Sequence, residues 1–152
     1  VAQGQEFSAL LLRPEGILPE FPLRPSESGS PQLLFAYGTL VPLDQSRRDA
    51  EGWIADAVRG RLYDLGPYPG LVDLDDPAAS WVEGFVRPVD VLQLQERLDP
   101  YEGVDDGLYR RERALTRSGR LVWVYIYARP LPEGVRGPFD RWEGLAGARR
   151  LR

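Results

Sequence analysis

The sequence predicts an α+β domain: a small curled mixed sheet or barrel with one main helix. Five or six short runs have strand composition, bounded by Gly, Pro and Asp. One segment alone carries both the start and the stop signals of a helix. The strands and helix do not alternate regularly, which argues against a parallel βαβ architecture.

The elements follow in chain order. Residues 1–31 read as a Pro/Ser-rich extension, interrupted by Pro14, Pro19, Pro22, Pro25 and Pro31 and containing the linker-like Ser26-Glu27-Ser28-Gly29-Ser30. Leu10-Leu11-Leu12 and Ile17-Leu18 are its apolar points, suited to docking on the domain or on a partner. The domain proper is placed at 32–130. Leu33 to Tyr37 is a buried strand ending at Gly38, and Asp44 to Glu51 a short helix. Trp53 to Leu65 holds a strand centred on Val58 to Tyr63. Gly66-Pro67-Tyr68-Pro69-Gly70 is expected to be a loop, because its prolines and glycines disfavour ladder pairing. Leu71-Val72 starts another strand, and Trp81 to Arg87 is the next.

Asp90 and Gln93 have the spacing of a capping box, with Val91, Leu94 and Leu98 on one helix face. Pro100 is expected to end this helix, since the residue before proline is pushed out of the helical region. Tyr101-Glu102-Gly103 then makes the exit turn. Leu108 to Thr116 and Arg120 to Ala128 flank Arg117-Ser118-Gly119, a hairpin turn. Leu121 to Tyr127 is apolar on both faces and should be central. Residues 131–152 read as an irregular tail, with a turn of helix near Phe139 to Trp142.

Composition excludes more than it suggests. The chain of 152 residues has 43% apolar and 28% charged residues, the balance of an ordinary globular protein. No apolar run is long enough to span a bilayer, and no signal-peptide pattern opens the chain, so a cytoplasmic location and no membrane partner are expected. The net charge of −4, with scattered arginines, argues against nucleic acid as a partner. There is no Cys and no His, and all 19 basic residues are arginine. Thiolate and Ser-His-Asp chemistry, imidazole metal ligation, Schiff bases and P-loops are therefore out of reach. Acid/base work must fall to a carboxylate of raised pKa, a tyrosine or a substrate group.

Three segments draw notice together: Phe35-Ala36-Tyr37-Gly38-Thr39-Leu40; Leu98-Asp99-Pro100-Tyr101-Glu102-Gly103; and Tyr109-Arg110-Arg111 with Trp123-Val124-Tyr125. Singly, each has a structural explanation as a turn, a solvated helix exit or core aromatics. In this order, with Gly60-Arg61-Leu62-Tyr63, Tyr68-Pro69-Gly70 and Glu83-Gly84 between them, they resemble the γ-glutamyl cyclotransferase superfamily. The likeness is greatest to its γ-glutamylamine cyclotransferase-like branch and runs from about Leu33 to Ala128.

The resemblance implies a fold and a chemistry. The α-amine of a γ-glutamyl amine or peptide attacks its own γ-carbonyl, giving 5-oxoproline and a free amine. No cofactor or metal is implied. Glu102 matches the catalytic glutamate, and Tyr37, Gly38, Thr39 and Leu40 match the loop that contacts the γ-glutamyl portion. Tyr109 and Tyr125 are weaker candidates for pocket walls. Asp99 would tether the exit turn or act as a second carboxylate. The acidic Val104-Asp105-Asp106-Gly107 suggests a mouth favouring a cationic leaving amine. The competing reading is a non-catalytic module of the same fold that binds a small acyl-amine ligand.

Overall fold

In the computed structural model, which describes residues 32–38 and 40–142, seven strands form one sheet. They are β1 (Gln32–Ala36), β2 (Ile54–Asp64), β3 (Pro69–Val72), β4 (Ser80–Val89), β5 (Tyr109–Leu115), β6 (Leu121–Tyr127) and β7 (Arg136–Phe139). The strand order is β3-β2-β4-β1-β6-β5, with β7 also paired to β2. All pairs are antiparallel except β1 with β6, which run parallel at Leu34 and Trp123, so the sheet is mixed. Its curl comes from β2. The first part of this long strand, Ile54 to Gly60, pairs with β4, while Arg61 to Asp64 pairs with β3 and β7. The fold is the predicted one, a curled half-barrel with one main helix.

The central strands read as unbroken apolar runs because both of their faces are buried. In β1, Phe35 joins one apolar cluster with Val58, Leu62, Val82 and Val124, while Leu34 and Ala36 join a second on the other face. The second cluster takes the helix, through Leu94 and Leu98. As predicted, β6 is internal, lying between β1 and β5. A short helix α1 (Gln45–Ala50), capped by Asp44, fills the connection from β1 to β2.

Two expected irregular regions turn out to be strands. Pro69 and Gly70 belong to β3, opposite Asp64 and Tyr63. Proline is tolerated there because β3 is the last strand on its side of the sheet order and Pro69 is its first residue, where no ladder donor is needed. Within the predicted C-terminal tail, Arg136–Phe139 is β7 rather than irregular chain, Phe139 sits in the core opposite Leu62, and the turn of helix expected near Phe139 to Trp142 does not form. Its buried ring supplies a reason for pairing that a Pro/Gly-rich sequence does not advertise.

The helix, α2, spans residues 91–101. It starts as predicted: Asp90 accepts from the Leu92 N–H at 2.7 Å, and Gln93 Oε1 accepts from the Asp90 N–H at 3.3 Å. Its exit differs from the prediction. After Val91–Gln93 the helix widens to a π-helical stretch, Leu94–Leu98, and then closes again as α-helix over Asp99–Tyr101. Pro100 therefore lies inside the helix. The wider turn accommodates a residue that lacks an N–H and whose ring would crowd the preceding turn. What stops the helix is Gly103, at φ 70°, a left-handed conformation that glycine adopts at no steric cost.

Candidate active site

The exit of α2 delivers Glu102 to a cavity of about 290 Å³. The Glu102 N–H is held by the Leu98 carbonyl at 2.8 Å, and the left-handed Gly103 then turns the chain away into a 3-10 turn, Val104–Asp106. The cavity is also lined by Phe35, Ala36, Tyr37, Gly38 and Leu40 from the end of β1 and its following turn. Tyr68, Pro69, Tyr101, Leu108, Tyr109 and Tyr125 complete the wall. Among the described residues, Glu102 is the one lining side chain that can carry a charge near neutral pH.

Glu102, Tyr37, Gly38, Leu40, Tyr109 and Tyr125, singled out from the sequence as catalytic or substrate-binding candidates, all line this cavity, and Asp99 does not. Thr39 lies outside the described residues. The roles of the tyrosines are sharper than the sequence could make them. Tyr37 is buried in the core, and its hydroxyl donates to the Tyr125 carbonyl at 2.5 Å. The Tyr109 hydroxyl donates to the Pro69 carbonyl, and the Tyr125 hydroxyl to Asp99 Oδ1 at 2.6 Å. Burial, followed by nearby negative or phenolic groups, raises all three phenols well above their usual range, so they are neutral hydrogen-bonding walls. Tyr109 also packs edge-on against Tyr68 and Tyr127, with ring centres 6.1 and 5.8 Å apart.

Glu102 differs from these neighbours. Among the described residues no donor lies within hydrogen-bond reach of its carboxylate. Burial foremost, and then the charge of Asp99, push its pKa up to about 7. Its position at the C-terminal end of α2 acts in the same sense, since the helix dipole is negative there. A carboxyl that exchanges its proton near neutral pH, with no donor among the described residues bonded to it, is suited to acid/base work.

Across the cavity, the turn after β1 is closed by the Val41 N–H, which donates to the Gly38 carbonyl at 3.0 Å. This leaves the N–H groups of Gly38 and Leu40 without a partner among the described residues. A Cβ on Gly38 would fall 2.6 Å from Pro69 Cγ, so glycine is what allows β3 to close on this turn.

Sequence reasoning missed Leu108 and did not single out Tyr68 as a wall. Tyr68 carried a signal as part of Tyr68-Pro69-Gly70; Leu108 carried none. Asp105 and Asp106 are exposed and are not among the residues that line the cavity. Among the described residues no group of three or more acidic side chains is placed to hold a metal ion. No described helix is long and apolar enough to cross a membrane.

Comparison with known proteins bears on this geometry. Residues 34–144 match the family described as gamma-glutamyl cyclotransferase, AIG2-like. Among solved structures, an AIG2-like protein from Mus musculus superposes with a TM-score of 0.58 at 20% identity, covering 76% of this chain and 93% of its own. A uropathogenic Escherichia coli-specific protein superposes with a TM-score of 0.51 at 18% identity, covering 71% and 87%. At these identities the likeness is one of fold. No curated protein matches the sequence.

Proposed function

The chain belongs to the gamma-glutamyl cyclotransferase, AIG2-like family, and on that basis we propose that it cyclises a γ-glutamyl amine to 5-oxoproline with release of the free amine, using Glu102 as the proton carrier. One observation carries this reading: a solitary carboxyl, titrating near 7, lines a cavity otherwise walled by apolar and phenolic groups.

The reaction needs no nucleophile from the protein. Glu102 as carboxylate takes a proton from the substrate's α-ammonium group. The freed amine attacks the γ-carbonyl carbon, a C–N bond forms, and the carbonyl π electrons move to oxygen. Collapse of the tetrahedral adduct re-forms the carbonyl and breaks the original amide C–N bond. Glu102 returns its proton to the leaving nitrogen, then takes the extra proton from the ring nitrogen and passes it to the released amine. This leaves a neutral lactam N–H and an ammonium product, so atoms and charge balance without a co-reactant. A group with pKa near 7 does both transfers with little bias against either.

The protein's larger contribution is to fold the flexible γ-glutamyl chain so that its two ends meet. Such orientation contributes on the order of 7–11 kcal/mol in favourable intramolecular cases. Tyr109 and Tyr125 supply rigid walls, and Tyr37, Leu40 and Gly38 the opposite side. With no cation among the described residues lining the cavity, the substrate's α-carboxylate falls to backbone N–H groups such as those of Gly38 and Leu40. A leaving group bearing a second carboxylate would find no cationic partner among those lining residues, which favours amines over amino acids.

The test is incubation with a panel of γ-glutamyl amines and γ-glutamyl amino acids, assaying 5-oxoproline. Turnover of at least one amine supports the reading, as does a kcat/KM that rises with pH through about 7. Absence of 5-oxoproline from every panel member would defeat it and leave a ligand-binding module of the same fold.

A further inference from the structure

The cavity is served by a second carboxylate that the proposed reaction does not use. Asp99 precedes Glu102 by three residues, a spacing that puts both on one face of α2. Arg111 in β5 grips it with two bonds, Nε to Oδ1 at 2.8 Å and Nη2 to Oδ2 at 3.1 Å. The Tyr125 hydroxyl in β6 adds a third, to Oδ1 at 2.6 Å. The Arg111 guanidinium also stacks 4.4 Å from the centre of the Trp123 ring. Both side chains of the ion pair are about four-fifths shielded, with 18% and 20% exposed. A bidentate, shielded pair of this kind is directional and fixes geometry, unlike an exposed one.

We propose that Asp99 is a positioning residue for Glu102: clamped by Arg111 and Tyr125, it pins the last turn of α2 to β5 and β6 and sets a fixed negative charge beside the Glu102 carboxyl. This rests on the reading of Glu102 as proton carrier. The clamp answers a specific weakness in the helix. The π-helical stretch departs from α-helical bonding and Pro100 offers no N–H just before Glu102, and no described residue bonds the Glu102 side chain. The clamp supplies the missing constraint one turn earlier.

The groups facing Glu102 from the packed elements are few. Asp99 faces it from α2, Tyr37 from the end of β1, Tyr109 from β5 and Tyr125 from β6. Tyr68 and Tyr101 complete the nearby wall. The three phenols Tyr37, Tyr109 and Tyr125 are neutral at working pH, so the field at Glu102 is set by Asp99 and by how fully Arg111 compensates it.

Two variants therefore move Glu102 in opposite directions. Asp99→Asn removes the neighbouring negative charge, and the Glu102 midpoint should fall by about one pH unit. Arg111→Gln leaves the Asp99 charge uncompensated, and the midpoint should rise. The readout is carboxyl NMR of protein carrying ¹³C-labelled Glu, titrated in both variants and in wild type, which needs no turnover. In parallel, kcat for the panel's best substrate should drop roughly tenfold to a hundredfold in both variants, since misplacement of a reacting group has that effect, with KM little changed.

A Glu102 midpoint unmoved in whichever variant folds would overturn the proposal, and so would shifts of the same sign in both, which would report general loosening of the site. An inactive wild-type protein would overturn the proton-carrier reading instead, and the titration would still decide whether Asp99 sets the Glu102 charge.

Discussion

Two shielded carboxylates at opposite ends of this sheet behave as opposites. Asp56, in β2, has a side chain only 2% exposed, yet it is strongly acidic. Burial alone would raise its pKa, but Ser118, Thr116, the Ala57 N–H and Arg120 together outweigh that and hold it at about 2. The bonds are short: Ser118 Oγ at 2.6 Å, Arg120 Nη1 at 2.8 Å and the Ala57 N–H at 2.9 Å. Glu102 has no donor among the described residues, and its pKa stands at about 7. Burial raises both groups; the donors around Asp56 outweigh it and hold that group down. Asp56 ties the β5–β6 turn to β2 and is fully committed to structure. Glu102 is uncommitted, the condition for moving a proton.

The contrast is open to direct attack. The largest effect should come from Glu102→Gln, which removes the proposed proton carrier while keeping shape. The expected loss in kcat is about 10²–10⁴-fold, measured as 5-oxoproline release, with the far-UV spectrum unchanged. Retention of wild-type turnover would place the chemistry elsewhere.

Asp56→Ala should do the reverse, destabilising the fold by about 3 kcal/mol in denaturant titration, because Arg120 and Ser118 lose their shared acceptor. The kcat of the folded protein should hold. Loss of kcat without loss of stability would break the division between the two sites.

The pH dependence of stability supplies a third test, with opposite signs for the two groups. Asp56 has a folded pKa of about 2, below its ordinary value of 3.8. Its contribution is complete above pH 4 and is lost as pH falls from there toward 2. Glu102 has a folded pKa of about 7 against an ordinary value of 4.5, so between those values the native state binds more protons than the unfolded chain. Stability should therefore fall as pH rises through that window. Glu102→Gln should be more stable than wild type by about 1–3 kcal/mol at pH 8 and equal to it at pH 4. Equal stabilities at both values would show that Glu102 is not desolvated.

The smallest effect should come from Tyr109→Phe, which removes the bond to the Pro69 carbonyl. It should cost about 1 kcal/mol of stability and leave kcat nearly unchanged. A collapse of kcat would give the hydroxyl a part in the chemistry.

Much of the fold was legible in the sequence because its signals are local. The capping box at Asp90 and Gln93, the Arg117-Ser118-Gly119 turn and the two-sided apolar run of β6 each depend on a few neighbouring residues. What was missed depends on distant ones. Pro69 and Gly70 are strand because Asp64 and Tyr63 pair with them, and Arg136–Phe139 is strand because the core has room for Phe139 beside Leu62. Pro100 stays within α2 because the helix widens one turn earlier.

The site divides along the same line. Composition alone, lacking Cys, His and Lys, restricted proton transfer to carboxylates, tyrosines or substrate, and the ordered motifs pointed to the Tyr37 turn and Glu102. Nothing local distinguishes Glu102 from Asp56 as a titrating group. Tertiary structure decided that, by leaving one carboxylate shielded and without a donor among the described residues while giving the other its donors, since a pKa is set by the groups that surround a side chain in space and not by its neighbours in the chain.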